Sequence, residues 1–204
     1  MPVAGTFHSI GVFFLRQFID RIGYGKDFVI YDEDDKIKLI KQICEEKKID
    51  EKEAPARQIL FQISAAKNDG VASREFEGRV HNYFMSCVRD VYGDYEKAMK
   101  RNNALDFDDI LLCTKRILEV PEVLESFHAK FQYFMVDEYQ DTNAIQYEII
   151  RLLASATRNL CVVGDDWQGI YSWRGANIKN ILNFNKDYPD AQVVKLEQNY
   201  RSTK

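Results

Sequence analysis

Three short apolar runs, at residues 131–136, 160–163 and 192–196, alternate with segments of helical periodicity. One such segment carries Ile145, Ile149, Leu152 and Leu153, and the next carries Ile178, Ile181, Leu182 and Phe184. Runs this short, separated by amphipathic helices, specify βαβ units and hence a parallel sheet. The ligand edge of a parallel sheet lies at the carboxyl ends of its strands. Asp137, Gly164-Asp165 and Gln198 each follow one of the runs and fall at that edge. Three strands make a thin sheet, so its opening strands are expected to lie upstream.

The first half of the chain has a different pattern. A helix is expected over residues 9–20, with Ser9 as its cap and Ile10, Phe13, Phe14 and Phe18 inward. Another should follow Asp32, carrying Ile37, Ile40 and Ile43, and a third should start at Pro55 and end at Gly70. Helical spacing then continues over residues 73–103, with Phe84, Val88, Val91, Tyr95 and Met99 on one face. Asp106 should cap the helix bearing Ile110, Leu111 and Ile117. The expected fold class is therefore α/β with an inserted all-helical subdomain: residues 1–29, a helical insertion over 30–104, and an α/β part over 105–204.

Composition excludes little beyond extremes. With 46% hydrophobic and 29% charged residues the chain can bury a core, and a formal charge of −4 argues against a uniformly basic nucleic-acid binder. A local basic groove stays open, because net charge averages over faces. The cysteines, Cys44, Cys87, Cys113 and Cys161, form no CxxC pair, and buried thiols in a reducing cytosol are expected. The apolar stretch near residue 11 is too short to span a bilayer, so a cytoplasmic protein with no membrane partner is expected.

Chemistry concentrates in four segments. In the first, the apolar run over 134–136 ends in Asp137 and Glu138. In a nucleotide hydrolase that arrangement offers one carboxylate to Mg²⁺ and another to the attacking water. Asp141 and Thr142 have a plainer task available, capping the helix that begins near Asn143. The second, over residues 164–175, holds Trp167, Gln168, Tyr171, Trp173 and Arg174. Its aromatics can stack on nucleobases, its Arg can meet a phosphate, and Gln168 can hydrogen-bond toward a terminal phosphate or water. The third places Arg201 after the last apolar run, where a guanidinium can neutralise charge developing on a γ-phosphate. The fourth is the turn Gly5-Thr6-Phe7-His8-Ser9. A phosphate-cradling loop is missing: Gly25-Lys26 has Asp20 and Asp27 where that loop needs Gly and a hydroxyl.

Together GTFHS, VDEYQDTN, VGDDWQGIYSWRGA and LEQNYRS, in this order, resemble the UvrD/Rep/PcrA family of superfamily 1 DNA helicases. YDEDDKIKLIK and LDFDDILL look like the family's helical insertion and the return from it. The resemblance covers nearly the whole chain. It implies a partial RecA-like parallel sheet and ATP-driven, three-prime to five-prime translocation on single-stranded DNA with duplex unwinding. It implies Asp137 on Mg²⁺, Glu138 activating water, Gln168 sensing the γ-phosphate and Arg201 as the finger. Gln140 would couple the metal motif to the aromatic loop and, with Asp137, Gln168 and Arg201, serve the ATP site. Thr6, His8, Tyr171, Trp173 and Arg174 would contact single-stranded DNA. Trp167 stands where Asp is commoner, a variant that looks like the helicase IV branch. The family's Walker loop and second RecA-like domain have no counterpart here, so the chain reads as a fragment, inactive alone, whose partners are single-stranded DNA and the rest of the helicase polypeptide. Two other readings stay open: a non-catalytic module binding single-stranded DNA or protein, and part of a helicase–nuclease subunit.

Overall fold

The computed structural model describes residues 2–165, 179–196 and 198. Helix dominates. Helix α1 (Phe7–Phe18) leads through a 3-10 turn (Ile19–Ile22) to β1 (Val29–Ile30). Three helices follow: α2 (Glu33–Glu46), α3 (Ala56–Asn68) and α4 (Tyr83–Arg101). Strand β2 (Ala104–Leu105) then pairs in parallel with β1, Val29 opposite Ala104 and Ile30 opposite Leu105.

The two residues of β2 belong to different cores. Side chains alternate across a strand. Ala104 closes the core of α2–α4, built on Ile40, Ile59, Ile63, Val88 and Tyr95. Leu105, fully buried, faces the second core with Phe14, Leu15, Ile110, Ile117 and Phe127. A buried side chain of this size contributes about 1.5–3 kcal/mol.

Beyond β2 come α5 (Phe107–Leu118), α6 (Pro121–Lys130), β3 (Phe134–Val136), α7 (Ala144–Ala154) and β4 (Leu160–Val162). Short helices α8 (Lys179–Leu182) and α9 (Phe184–Asp187) end the described elements. Strands β3 and β4 pair in parallel, Met135 opposite Cys161, and the ladder continues as the Val163 amide donates to Val136 O at 2.8 Å. The fold is mixed α/β, mostly helical, with short parallel sheets. Met135 is 82% exposed on β3, so this pair is uncovered on one side.

Several expectations shift. Thr6, not Ser9, caps α1, its hydroxyl accepting the Ser9 amide at 3.2 Å. Helical spacing over 73–103 breaks into a 3-10 segment (Ser73–Arg79) and α4, because Asn82 caps afresh by accepting the Met85 amide. Helix α6 went unread; Pro121 in its first turn with Val123 and Phe127 inward is the signal that marks it. Residues 192–196 form no strand: the run is exposed, with Leu196 86% accessible. Capping boxes do stand at Asp32 and Asp106. Gly70 turns the chain after α3 with φ +73°, which glycine adopts freely. Cys44, Cys87 and Cys113 are buried thiols and Cys161 is exposed. Among the described residues no helix is long and apolar enough to cross a membrane.

Candidate nucleotide and nucleic-acid site

Strands β3 and β4 end side by side, and the candidate residues lie at their carboxyl ends. Asp137 follows β3 directly and is exposed. Glu138, also exposed, has φ +50° and ψ +43°, a left-handed conformation that costs a non-glycine residue about 1 kcal/mol or more. Its amide is turned back onto Asp137 Oδ1 at 2.9 Å. A strained residue held open to solvent at a sheet edge is how functional side chains are commonly presented.

Gln140 holds that strained turn. It is 1% exposed, its Nε2 donates to Glu138 Oε2 at 2.8 Å, and its Oε1 accepts the Asp165 amide at 3.0 Å. One buried amide thus joins the carboxylate turn to the end of β4. Gly164 makes the approach possible, since a Cβ there would stand 2.6 Å from Gln140 Oε1. A second clamp lies two residues on. Thr142 is buried, and Asn180 Nδ2 donates to its carbonyl at 3.0 Å and its hydroxyl at 3.1 Å. Asp165 and Lys179, the flanks of the segment at 166–178, are therefore both tied to the 139–142 turn, the second through Asn180. Asn180 carried no signal in the sequence.

Asn143, rather than Asp141 or Thr142, caps α7, in a reciprocal pair with Gln146. Asp141 Oδ1 is buried and has no hydrogen-bond partner among the described residues. Burial, and then the charge of Glu138, raise its carboxyl above the usual range.

Thr6 and His8 sit across a cavity of about 450 Å³ whose walls also include Asp137, Met135, Phe14 and Phe131. Burial lowers the His8 imidazole pKa against the opposing charge of Asp108. The His8 ring lies 5.4 Å from that of Phe107, which is 55% exposed at the start of α5. In the sequence Phe107 carries no functional signal, because it stands one residue past the Asp106 cap as an ordinary helix start. The Gly25-Lys26 pair forms a structural turn: the Gly25 amide donates to Asn103 Oδ1 at 2.8 Å and Lys26 faces Asp20 at 3.5 Å.

Asp137, Glu138 and Gln140 are thus brought together, with Thr6 and His8 on the same cavity as Asp137. Gln168, Tyr171, Trp173, Arg174 and Arg201 lie outside the described residues, as does Trp167. Asp137 has Oδ2 open among the described residues, and no cluster of three metal-ligating side chains occurs among them. A single carboxylate fits Mg²⁺, which keeps several waters and takes its other oxygens from substrate phosphates.

Residues 1–189 match the model of the UvrD/REP helicase N-terminal domain. The chain belongs to that family. It is similar to the ATP-dependent DNA helicase PcrA of Bacillus subtilis, 52% identical over 200 residues, and of Staphylococcus aureus, 48% identical over 200 residues. The Staphylococcus epidermidis PcrA is 46% identical over the same length. Each alignment takes in 98% of this chain and 27% of the relative. The UvrD/REP match spans both cores, the 137–143 turn and the clamped flanks of 166–178.

Proposed function

We propose that this chain forms the part of an ATP-dependent DNA helicase that carries the metal-binding and water-orienting carboxylates together with part of the single-stranded DNA face. The observation that carries the reading is Gln140: a buried amide that fixes Glu138 on one side and the β4 end on the other. In the proposed architecture β3 and β4 belong to a RecA-like sheet whose other strands cover the exposed side of Met135.

Asp137 would take Mg²⁺ through its open oxygen, and the ion supplies charge neutralisation on the β- and γ-phosphate oxygens. Glu138 Oε2 is occupied by Gln140, which leaves Oε1 to accept a hydrogen bond from the attacking water and then its proton. The Gln140 donor keeps that carboxylate aimed. Gln168 would sense the γ-phosphate, and Arg201 would place its guanidinium on developing charge. Tyr171, Trp173 and Arg174, with Thr6 and His8, would bind single-stranded DNA by stacking and phosphate contact, with translocation running three-prime to five-prime. The 204 residues alone would not hydrolyse ATP, for want of a phosphate-cradling loop and its Lys.

The test is Glu138→Gln in the full-length gene product. It should reduce DNA-stimulated ATP hydrolysis by about 10²–10⁴-fold while a fluorescent ATP analogue still binds. Turnover at the wild-type rate would end the assignment.

A further inference from the structure

The end of α3 makes a contact that neither the metal motif nor the DNA turn explains by itself. Asn68 is the last residue of α3, in the helical core, and its side chain reaches two other parts of the molecule. Its Nδ2 donates to Asp108 Oδ1 at 3.1 Å, on the first turn of α5, and to Ser64 O at 2.9 Å. Its Oδ1 accepts from Nδ2 of Asn143 at 3.2 Å, at the cap of α7. Asp108 is held from the other side by the Ser64 hydroxyl, and it follows Phe107, the residue against the His8 ring. Asn143 follows the 3-10 turn (Tyr139–Asp141) that begins at Glu138.

The amide orientation is dictated by chemistry. Asp108 presents only acceptors, so the nitrogen of Asn68 must face it, and the oxygen is left for the Asn143 donor. Asn is the short side chain that offers both at once. Adhesion between α3 and α5 is not its task, because the neighbouring Lys67 already provides that. Lys67 is 1% exposed and pairs with Asp106 at 2.7 Å and Asp109 at 2.6 Å. Asn68 is only half-buried, and its second partner, Asn143, is the cap of α7, whereas the ion pairs of Lys67 run to Asp106 and Asp109.

We propose that Asn68 is a positioning residue linking the His8 turn, through Phe107 and Asp108, to the turn that sets Glu138, through Asn143, so that DNA contact at His8 adjusts the hydrolytic carboxylate. This rests on the helicase reading above. A polar chain with two discrete arrangements can carry such coupling, worth about 5–150-fold between sites.

Two experiments test it. In the 204-residue chain, amide hydrogen exchange at residues 142–146 is followed for wild type, Asn68→Ala, Asn68→Asp and the double change Asn68→Asp with Asp108→Asn. Asn68→Asp sets two carboxylates against each other. The double change restores a donor–acceptor pair, and Asp at 68 still accepts from Asn143. Faster exchange in both single variants and recovery in the double supports the link, whereas a double variant as fast as Asn68→Asp overturns it. In the full-length gene product, Asn68→Ala should lower oligo(dT)-stimulated ATP turnover by about fivefold or more while basal turnover and melting temperature stay near wild type. Equal loss of both rates, or of neither, overturns it. A wild-type protein that hydrolyses no ATP with oligo(dT) defeats the helicase reading instead, and the exchange pattern then decides the Asn68 link by itself.

Discussion

Lys67 Nζ lies 2.7 Å from Asp106 Oδ2 with both side chains 1% exposed, an ion pair sealed between the helical core and α5. Tyr95 donates a further hydrogen bond to the same carboxylate oxygen at 2.9 Å, and Asp109 Oδ1 accepts a second N–H of the ammonium at 2.6 Å. Burial disfavours the ammonium, yet the Asp109 and Asp106 carboxylates hold it well above its ordinary pKa. A buried pair of this kind is costly to break, because removing one member strands the other without water.

Lys67→Met should therefore destabilise the chain by about 3–5 kcal/mol, with Asp106 and Asp109 left facing each other. Urea denaturation followed by circular dichroism measures this. A loss under about 1 kcal/mol, the scale of exposed pairs, would show that water reaches the cluster.

The same cluster gives an unusual pH dependence. Burial first, with Asp106 adding and Lys67 opposing, pushes the Asp109 carboxyl up to about 6, above its ordinary 3.8. The folded state then holds this proton more tightly than the unfolded one, so the contribution is full below 3.8 and is lost as pH rises through about 6. Asp106 acts in the opposite sense. Burial raises it, but Lys67 outweighs that and leaves it lowered, so its contribution is lost as pH falls below the usual carboxylate range. Melting temperature should rise between about pH 7.5 and 5 and fall below about pH 4. Asp109→Asn should flatten the first change and leave the second, as scanning calorimetry across that range would show.

Gly164→Ala should act through Gln140. The added Cβ would meet Gln140 Oε1 at 2.6 Å and Ile181 Cδ1 at 2.8 Å, so the amide must leave. Losing its bond to the Asp165 backbone should cost about 1–3 kcal/mol. If Gln140 is the route, Gly164→Ala adds little to Gln140→Ala, and a double-mutant cycle on denaturation free energies reads that directly.

Glu138→Gly should relieve backbone strain without a net gain in stability, while abolishing function. Relief of the φ +50° backbone is worth about 1 kcal/mol, less the hydrogen bond lost from Gln140. A urea midpoint at or below that of the wild type and no hydrolysis in the full-length protein are the expected outcome, because the stranded Gln140 donor costs about 1–3 kcal/mol.

Local signals were readable and distant ones were not. Asp32 and Asp106 announced their helices because a capping side chain reaches an amide only three residues away. The β3 and β4 ends were readable because an apolar run stopped at carboxylates or Gly-Asp. Helix α6 escaped because two buried side chains, Val123 and Phe127, leave little periodicity in ten residues. The run at 192–196 has strand composition but no described neighbour to pair with, which shows that β-propensity needs a ladder to act on. Within the site, the adjacent Asp137 and Glu138 stood out, while the left-handed turn that presents Glu138 follows from tertiary constraint. Lys67 and Asn68 meet partners 39 and 75 residues away, a distance over which residue spacing carries no signal.

The two-residue pairing of β1 with β2 has a consequence for how such chains diversify. Residues 31–103 depart and come back one strand spacing apart, about 4.8 Å, so the frame around them spans almost no gap. Helices could be lengthened, exchanged or added inside that excursion without stretching the polypeptide that holds Asp137 and Glu138. New surfaces could then arise there by grafting, and the turn at Glu138 would feel them through the seam between α3 and α5.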